Sequence, residues 1–200
     1  MYFSLGQAYY FATFDSKLDS LTKRSFLISA DSAFSKVNVA KPDYTKAFFY
    51  RAGARSKLDP ESTAGLAKPQ YEMVVKLYEA PSNKSFYEAL KNLKKESYNQ
   101  IIKNYESYAD AIKNSQPSEV IDKLYNSYVE SIKTLDDIVV KDLYKKTFEK
   151  NRDGLIEAYQ YLGYYFYLQK DNTKSKYYWE KLLMLDPNDK QAKDVLKVIK

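Results

Sequence analysis

Large apolar residues recur along this chain at helical spacing almost from end to end. In one stretch they fall at Phe86, Leu90, Leu93, Ile101, Tyr105, Tyr108 and Ile112. A polar break follows at Asn114-Ser115-Gln116-Pro117-Ser118, and the stripe resumes at Val120, Ile121, Leu124, Tyr128 and Ile132. Thr134-x-x-Asp137 has the form of a capping box ahead of Ile138, Leu143 and Phe148, so two or three long helices are expected between about residues 83 and 151. Residues 190–200 place Ala192, Val195, Leu196 and Ile199 on one side of a last amphipathic helix. Such a helix, polar on its outer face, closes the end of a helical stack. The expectation is helix over about three quarters of the chain and no sheet.

Outside that central stretch the apolar positions repeat as a motif. Tyr159-x-x-Leu162-Gly163-x-x-Phe166 is followed, without insertion, by Ser175, Trp179 and Pro187. Tyr2-x-x-Leu5-Gly6-x-x-Tyr9 repeats the first half, and Ala30, Phe34, Val37 and Pro42 the second, with extra residues around 15–19 that imply a longer connection or a longer second helix. A degenerate copy places Phe48, Arg51 and Ala52 on a first helix and Ala67, Tyr71 and Val74 on a second. Small residues at Gly6, Ala30, Ala52, Ala67 and Gly163 let paired helices approach, and Tyr2, Phe34, Tyr71 and Trp179 fill the space beside them. Asp59-Pro60 and Asp186-Pro187 mark turns, since Asp caps free N–H groups and Pro is tolerated in a first helical turn. Pro69 falls inside an expected helix, so a late start or a kink is expected there.

This pattern resembles the tetratricopeptide repeat (TPR). Residues 30–69 and 155–188, with Lys41-Pro42-Asp43-Tyr44, Leu58-Asp59-Pro60 and Leu185-Asp186-Pro187-Asn188, are similar to large bacterial TPR proteins, many of them secreted to the cell envelope. The resemblance implies an all-α fold: a TPR-type antiparallel helix-pair solenoid, an α-α superhelix, with inserted long helices. Residues 1–82 would hold two TPR-like repeats, the first with a long insertion and the second degenerate. Residues 83–151 would be the inserted helices, and 152–200 the third repeat with its capping helix. It also implies protein binding by a non-catalytic scaffold, and a periplasmic or envelope location over a cytoplasmic one. The alternative is a structural spacer or self-association module of a larger repeat protein. In such arrays the first helices line a concave groove. Carried over by motif position, the groove would show Phe3, Gln7 and Tyr10 from repeat one, Lys46, Phe49 and Gly53 from repeat two, and Gln160, Tyr164 and Tyr167 from repeat three. Lys46 alone matches the Lys and Asn positions with which some TPR domains clamp a C-terminal carboxylate, so that mode is not expected. The first residues already read as mid-motif, so Met1 is expected to be an added start on a chain that continues N-terminally.

Composition narrows the chemistry. The 200 residues contain no Cys and no His, which removes thiolate and imidazole nucleophiles, bases and metal ligands. Only 5 Gly and 6 Pro occur, too few for the turns of an all-β fold. Aromatics make up 16%, including 21 Tyr, a residue suited to half-buried faces. The net charge is +6 with both signs interspersed. Lys94-Lys95 and Lys145-Lys146 have acidic neighbours and read as solvated helix faces, not a nucleic-acid stripe. Asp136-Asp137 reads as a helix N-terminus. Asp186-Pro187-Asn188-Asp189 lacks the Gly and the distal Glu of a calcium loop. No enzyme site, cofactor or metal is expected, and no apolar run approaches a membrane span.

Overall fold

The computed structural model describes residues 1–135 and 137–199. Asp136, half of the acidic pair noted above, and Lys200 lie outside the described residues. The described residues form ten α-helices and no strand: α1 (Tyr2–Ala12), α2 (Ser20–Ala40), α3 (Thr45–Leu58), α4 (Lys68–Leu93), α5 (Asn99–Lys113), α6 (Ser118–Thr134), α7 (Ile138–Phe148), α8 (Arg152–Leu168), α9 (Asn172–Leu185) and α10 (Lys190–Val198). They divide into two compact units, Met1–Tyr78 with Asn151–Lys200, and Glu79–Lys150; α4 starts in one and ends in the other.

In the first unit the motif residues pair as their sizes require. A methyl group added at Gly6 of α1 would lie 2.7 Å from the buried ring of Phe34 on α2, and one added at Gly163 of α8 would lie 2.8 Å from the buried ring of Trp179 on α9. Ser175 stands where the motif has alanine, and its hydroxyl donates to the Gly163 carbonyl at 2.8 Å. Leu27, Ala30 and Phe34 of α2 pack with Ala47 and Ala54 of α3. Ala52 of α3, Tyr71 and Val74 of α4, and Ala158, Tyr161 and Leu162 of α8 share one core. The third repeat therefore stacks directly on the second, although the chain between them is long. The result is an all-α helical repeat solenoid of TPR type with long helices inserted.

Local chemistry explains the boundaries. Aspartates cap three of this unit's helices: Asp19 accepts from Thr22 N at 2.9 Å, Asp171 from Lys174 N at 3.1 Å and Asp189 from Ala192 N at 2.7 Å. The extra residues of repeat one go both into the connection 13–19 and into the long α2. Pro69 sits in the first turn of α4, where its missing N–H has no helical acceptor to lose. Gly65, just ahead of α4, has φ +64, and a methyl group there would come 2.5 Å from the ring of Tyr165. Arg51, out of place at a leucine position, bonds Asp31 of α2 at 2.8 Å, and Arg55 bonds the same carboxylate at 2.7 Å.

The second unit holds the end of α4 with α5, α6 and α7, packed around Phe86, Leu90, Ile101, Tyr128, Ile132 and Phe148, all buried. The sequence places its start at residue 83, but α4 runs on without a break, and buried Glu79 and Asn83 turn into this unit's interior. The Tyr125 hydroxyl donates to Glu79 at 2.6 Å, and Asn83 lies 3.5 Å from Tyr125 and 3.4 Å from Tyr128. Burial pushes the Tyr128 and Tyr144 hydroxyls well up, keeping both phenols neutral. The expected capping box at Thr134 is not formed. Thr134 ends α6 with its hydroxyl on the Glu130 carbonyl at 2.9 Å, and Asp137 caps α7 by accepting from Val139 N at 2.8 Å.

Candidate partner-binding surface

The first helices of the three repeats are α1, α3 and α8, all in the first unit. Tyr10 of α1 and Gly53 of α3 meet, and Glu157 of α8 stands near enough for its charge to act on the Tyr10 hydroxyl. A methyl group at Gly53 would lie 2.8 Å from the Tyr10 hydroxyl, so a larger residue there would displace that ring. Tyr71 of α4, itself buried, donates to Glu157 at 2.6 Å and fixes a carboxylate that is otherwise exposed. The Tyr10 hydroxyl is pushed up by burial, then by the Glu157 charge and by Tyr50. The Tyr71 hydroxyl is pushed up further, by burial first and then by Glu157. Both phenols are thus held neutral, and Tyr71 donates to a carboxylate that forms no ion pair among the described residues.

The expected groove residues fall into two groups. Lys46, Tyr164 and Tyr167 are open, the two tyrosines 37% and 43% exposed. Gly53 is buried and the others are half-buried. Phe3 is edge-on to Phe34, Tyr44 and Tyr50, with ring centroids 5.8, 5.1 and 5.8 Å away. Phe49 packs on the core shared by α3, α4 and α8 and stands edge-on to Tyr50 at 6.1 Å. Gln160 donates to Asp189 at 3.4 Å, at the start of α10. Tyr10 is half-enclosed as described, and Gln7 is half-buried. Tyr10 and Gly53 are brought together; no described contact joins Lys46 to Tyr164 or Tyr167.

Three features lie beyond the sequence reading. Glu157 stands two residues before Tyr159, as Lys46 stands two before Phe48, so the motif register that gave Lys46 also marks Glu157. Tyr50 lies between repeats, stacked on Phe34 at 5.6 Å. Phe11 and Phe14 are exposed at the end of α1, with the Lys57 ammonium 4.7 Å over the Phe14 ring. Phe14 follows the helical motif in the connection, where the repeat pattern carries no signal. Chemically the surface offers aromatic faces, phenol donors and one fixed carboxylate. Among the described residues no group of three Asp or Glu is gathered to hold a metal, and no helix is long and apolar enough to cross a membrane.

No protein-family model matches the chain, and no curated protein sequence matches it. Among solved structures it is similar to the C-terminal part of a TPR repeat-containing protein from Cytophaga hutchinsonii, with a TM-score of 0.54 and 24% identity. The match covers 98% of this chain and 46% of that one, so the chain spans less than half of that relative. A likeness at this identity bears on the fold. It agrees with the helix pairing found here residue by residue: the chain has the fold of a TPR-type helical repeat protein.

Proposed function

We propose that this chain is a non-catalytic protein-interaction scaffold that takes a partner's extended or helical segment on the concave face of its first helices. The observation that carries the reading is the exposure of Tyr164 and Tyr167 on the last first helix, beside a carboxylate, Glu157, that Tyr71 holds in place. Rigid aromatic rings are typical interface anchors, and a carboxylate already oriented by Tyr71 needs no reordering to accept a donor. Nucleic acid is not the partner in this reading. One lysine of the Lys94-Lys95 pair, Lys95, already lies 3.7 Å from Asp137. The spacer alternative needs the first-helix face to be inert.

The test is a capture experiment with the full chain as bait, comparing wild type with Tyr164→Ala and Tyr167→Ala. Both rings are exposed, so their loss should leave the melting temperature unchanged while a hot-spot ring costs binding about 2 kcal/mol, or roughly thirtyfold. Phe49→Ala behaves differently because its ring packs into a core. It should lower stability by about 2 kcal/mol, less than the 3–5 kcal/mol of a fully buried Phe. A partner captured equally by wild type and both tyrosine variants would refute the groove reading.

A further inference from the structure

A serine inside a helix can turn its hydroxyl back onto the carbonyl four residues earlier. Ser85, Ser107 and Ser127 do so, at 3.0, 3.1 and 3.1 Å. Ser32 and Ser35 of α2 do not, and neither side chain forms a hydrogen bond among the described residues. Both line a cleft of about 520 Å³ between α2 and α3, together with Asp31, Lys36, Val39 and Arg51. The five α2 residues follow helical spacing, so they share one side of that helix.

Arg51 closes the cleft from α3, at the motif position held by Leu5 and Leu162 in the other repeats. Its Nε donates to Asp31 at 2.8 Å. Its two terminal amino groups have no hydrogen-bond partner among the described residues, although the side chain is only 17% exposed. Arg55 takes the same carboxylate through Nε at 2.7 Å and Nη2 at 3.0 Å. Two guanidinium groups thus share one carboxylate, and one positive charge is left over in a half-buried place. Lys36 adds another. It forms no ion pair among the described residues, and its ammonium lies 4.8 Å from the centre of the Tyr2 ring. Elsewhere in this unit lysines are matched one to one, as Lys68 with Glu72 at 2.7 Å and Lys174 with Asp171 at 3.1 Å.

We propose that this cleft binds a phosphate group, as the free ion or at the end of a monoester. The unpartnered end of the Arg51 guanidinium has the fork geometry that grips two phosphate oxygens. The Ser32 and Ser35 hydroxyls and the Lys36 ammonium supply further donors. Unmatched charge in a half-buried place is unfavourable, and a bound anion relieves it. Two uncompensated cations suit a dianion better than a carboxylate. The cleft shares no residue with the first-helix face of the proposed function, so the two readings fail independently.

The test is amide NMR of the isotope-labelled full chain, titrated separately with inorganic phosphate, phosphoserine and acetate. Saturable shifts at Ser32, Ser35 and Arg51 are expected with both phosphates, and far weaker binding with acetate. Arg51→Leu installs the repeat's usual residue and leaves Asp31 paired with Arg55. It should therefore melt at or above the wild-type temperature while binding phosphate at least about tenfold more weakly, as expected when a hydrogen bond to a charged group is lost. Arg51→Lys keeps the charge without the fork and should also weaken binding. Tighter binding of phosphoserine assigns the monoester, and equal binding assigns the free ion; either supports the site. The absence of saturable shifts, phosphate binding that Arg51→Leu leaves unchanged, or acetate bound as tightly as phosphate overturns the proposal.

Discussion

Gly163→Ala tests the register of the third repeat with a single methyl group. That methyl would lie 2.8, 2.9 and 3.0 Å from Cε2, Nε1 and Cδ2 of Trp179, contacts that no stable Cβ makes. The indole is rigid and fully buried, so it has no open space into which to yield. Overpacking of this kind costs about 1–3 kcal/mol. Against it stands the gain of about 1 kcal/mol from replacing glycine inside a helix. The ring is rigid and enclosed, so the cost falls in the upper part of that range, about 2–3 kcal/mol, and the net expectation is a loss of about 1–2 kcal/mol, or roughly 2–8 °C in melting temperature for a chain of this size. The sign should reverse when the ring is removed. Trp179→Ala alone should cost about 3–5 kcal/mol, but adding Gly163→Ala to it should restore about 1 kcal/mol, because only the helix-propensity gain remains. The cycle thus contains a coupling of about 2 kcal/mol. Trp179 is the sole tryptophan, so its fluorescence follows this unit in the first variant, and far-ultraviolet circular dichroism serves where the ring is gone. A Gly163→Ala chain as stable as wild type, or an equal effect of the methyl in both backgrounds, would refute the packing described.

Two predictions concern pH. Burial of Asp31 raises its pKa, but the hydrogen bonds and charges of Arg55 and Arg51 outweigh that and hold the carboxyl below its ordinary 3.8. The stability it contributes is present above that value and lost as pH falls through the lower folded one. Asp31→Asn should therefore destabilise by about 2 kcal/mol at neutral pH, less than a fully buried pair, with the difference from wild type vanishing in strong acid. Tyr108 is pushed up to about 12, by burial and then by the Glu79 charge. Its folded pKa lies above the unfolded value near 10, so its contribution is present below pH 10 and lost as pH rises toward 12. Alkaline denaturation of Tyr108→Phe should be shallower than wild type across that window.

Much of the fold is legible in the sequence because size complementarity leaves a mark at fixed spacing. Gly6 with Phe34 and Gly163 with Trp179 are each a small residue and a ring that only a helix pair brings together. The terminal helix was legible from Ala192 and Ile199, both buried in the structure. Signals that depend on local competition were not. Asp137 and Thr134 both suit an N-cap, and only the end of α6 decides between them. Pro81 lies inside α4, where its ring opposes the helix, yet α4 continues to Leu93 because packing outweighs the local cost. The exposure of the candidate groove residues is only partly legible. Motif position says which side of a helix a residue occupies, but not whether a neighbouring ring already fills the space, and that is what separates Phe3 and Phe49 from Tyr164 and Tyr167.

The insertion itself gives the sharpest test of how independent the repeats are. The chain leaves the first unit at Tyr78 and returns at Asn151, and the Tyr78 ring lies against the start of α8. A methyl group at Gly154 would lie 2.9 Å from the Tyr78 ring. A bridge from Tyr78 to Asn151 therefore starts and ends on helices that already touch. Replacing residues 79–150 by a few Gly and Ser residues leaves only a short loop to close, and closure entropy grows slowly with loop length. The cut removes the second half of α4 but keeps the part that holds Tyr71 and Val74 against Ala158 and Leu162. Three turns of helix remain there, held by tertiary packing rather than by propensity. The bridged chain should melt cooperatively, keep the blue-shifted emission of buried Trp179 and still lose stability on Gly163→Ala. Emission at the wavelength of exposed indole, or a broad transition with dye-binding apolar surface, would show that Tyr71, Val74, Ala158 and Leu162 do not suffice to join the second and third repeats.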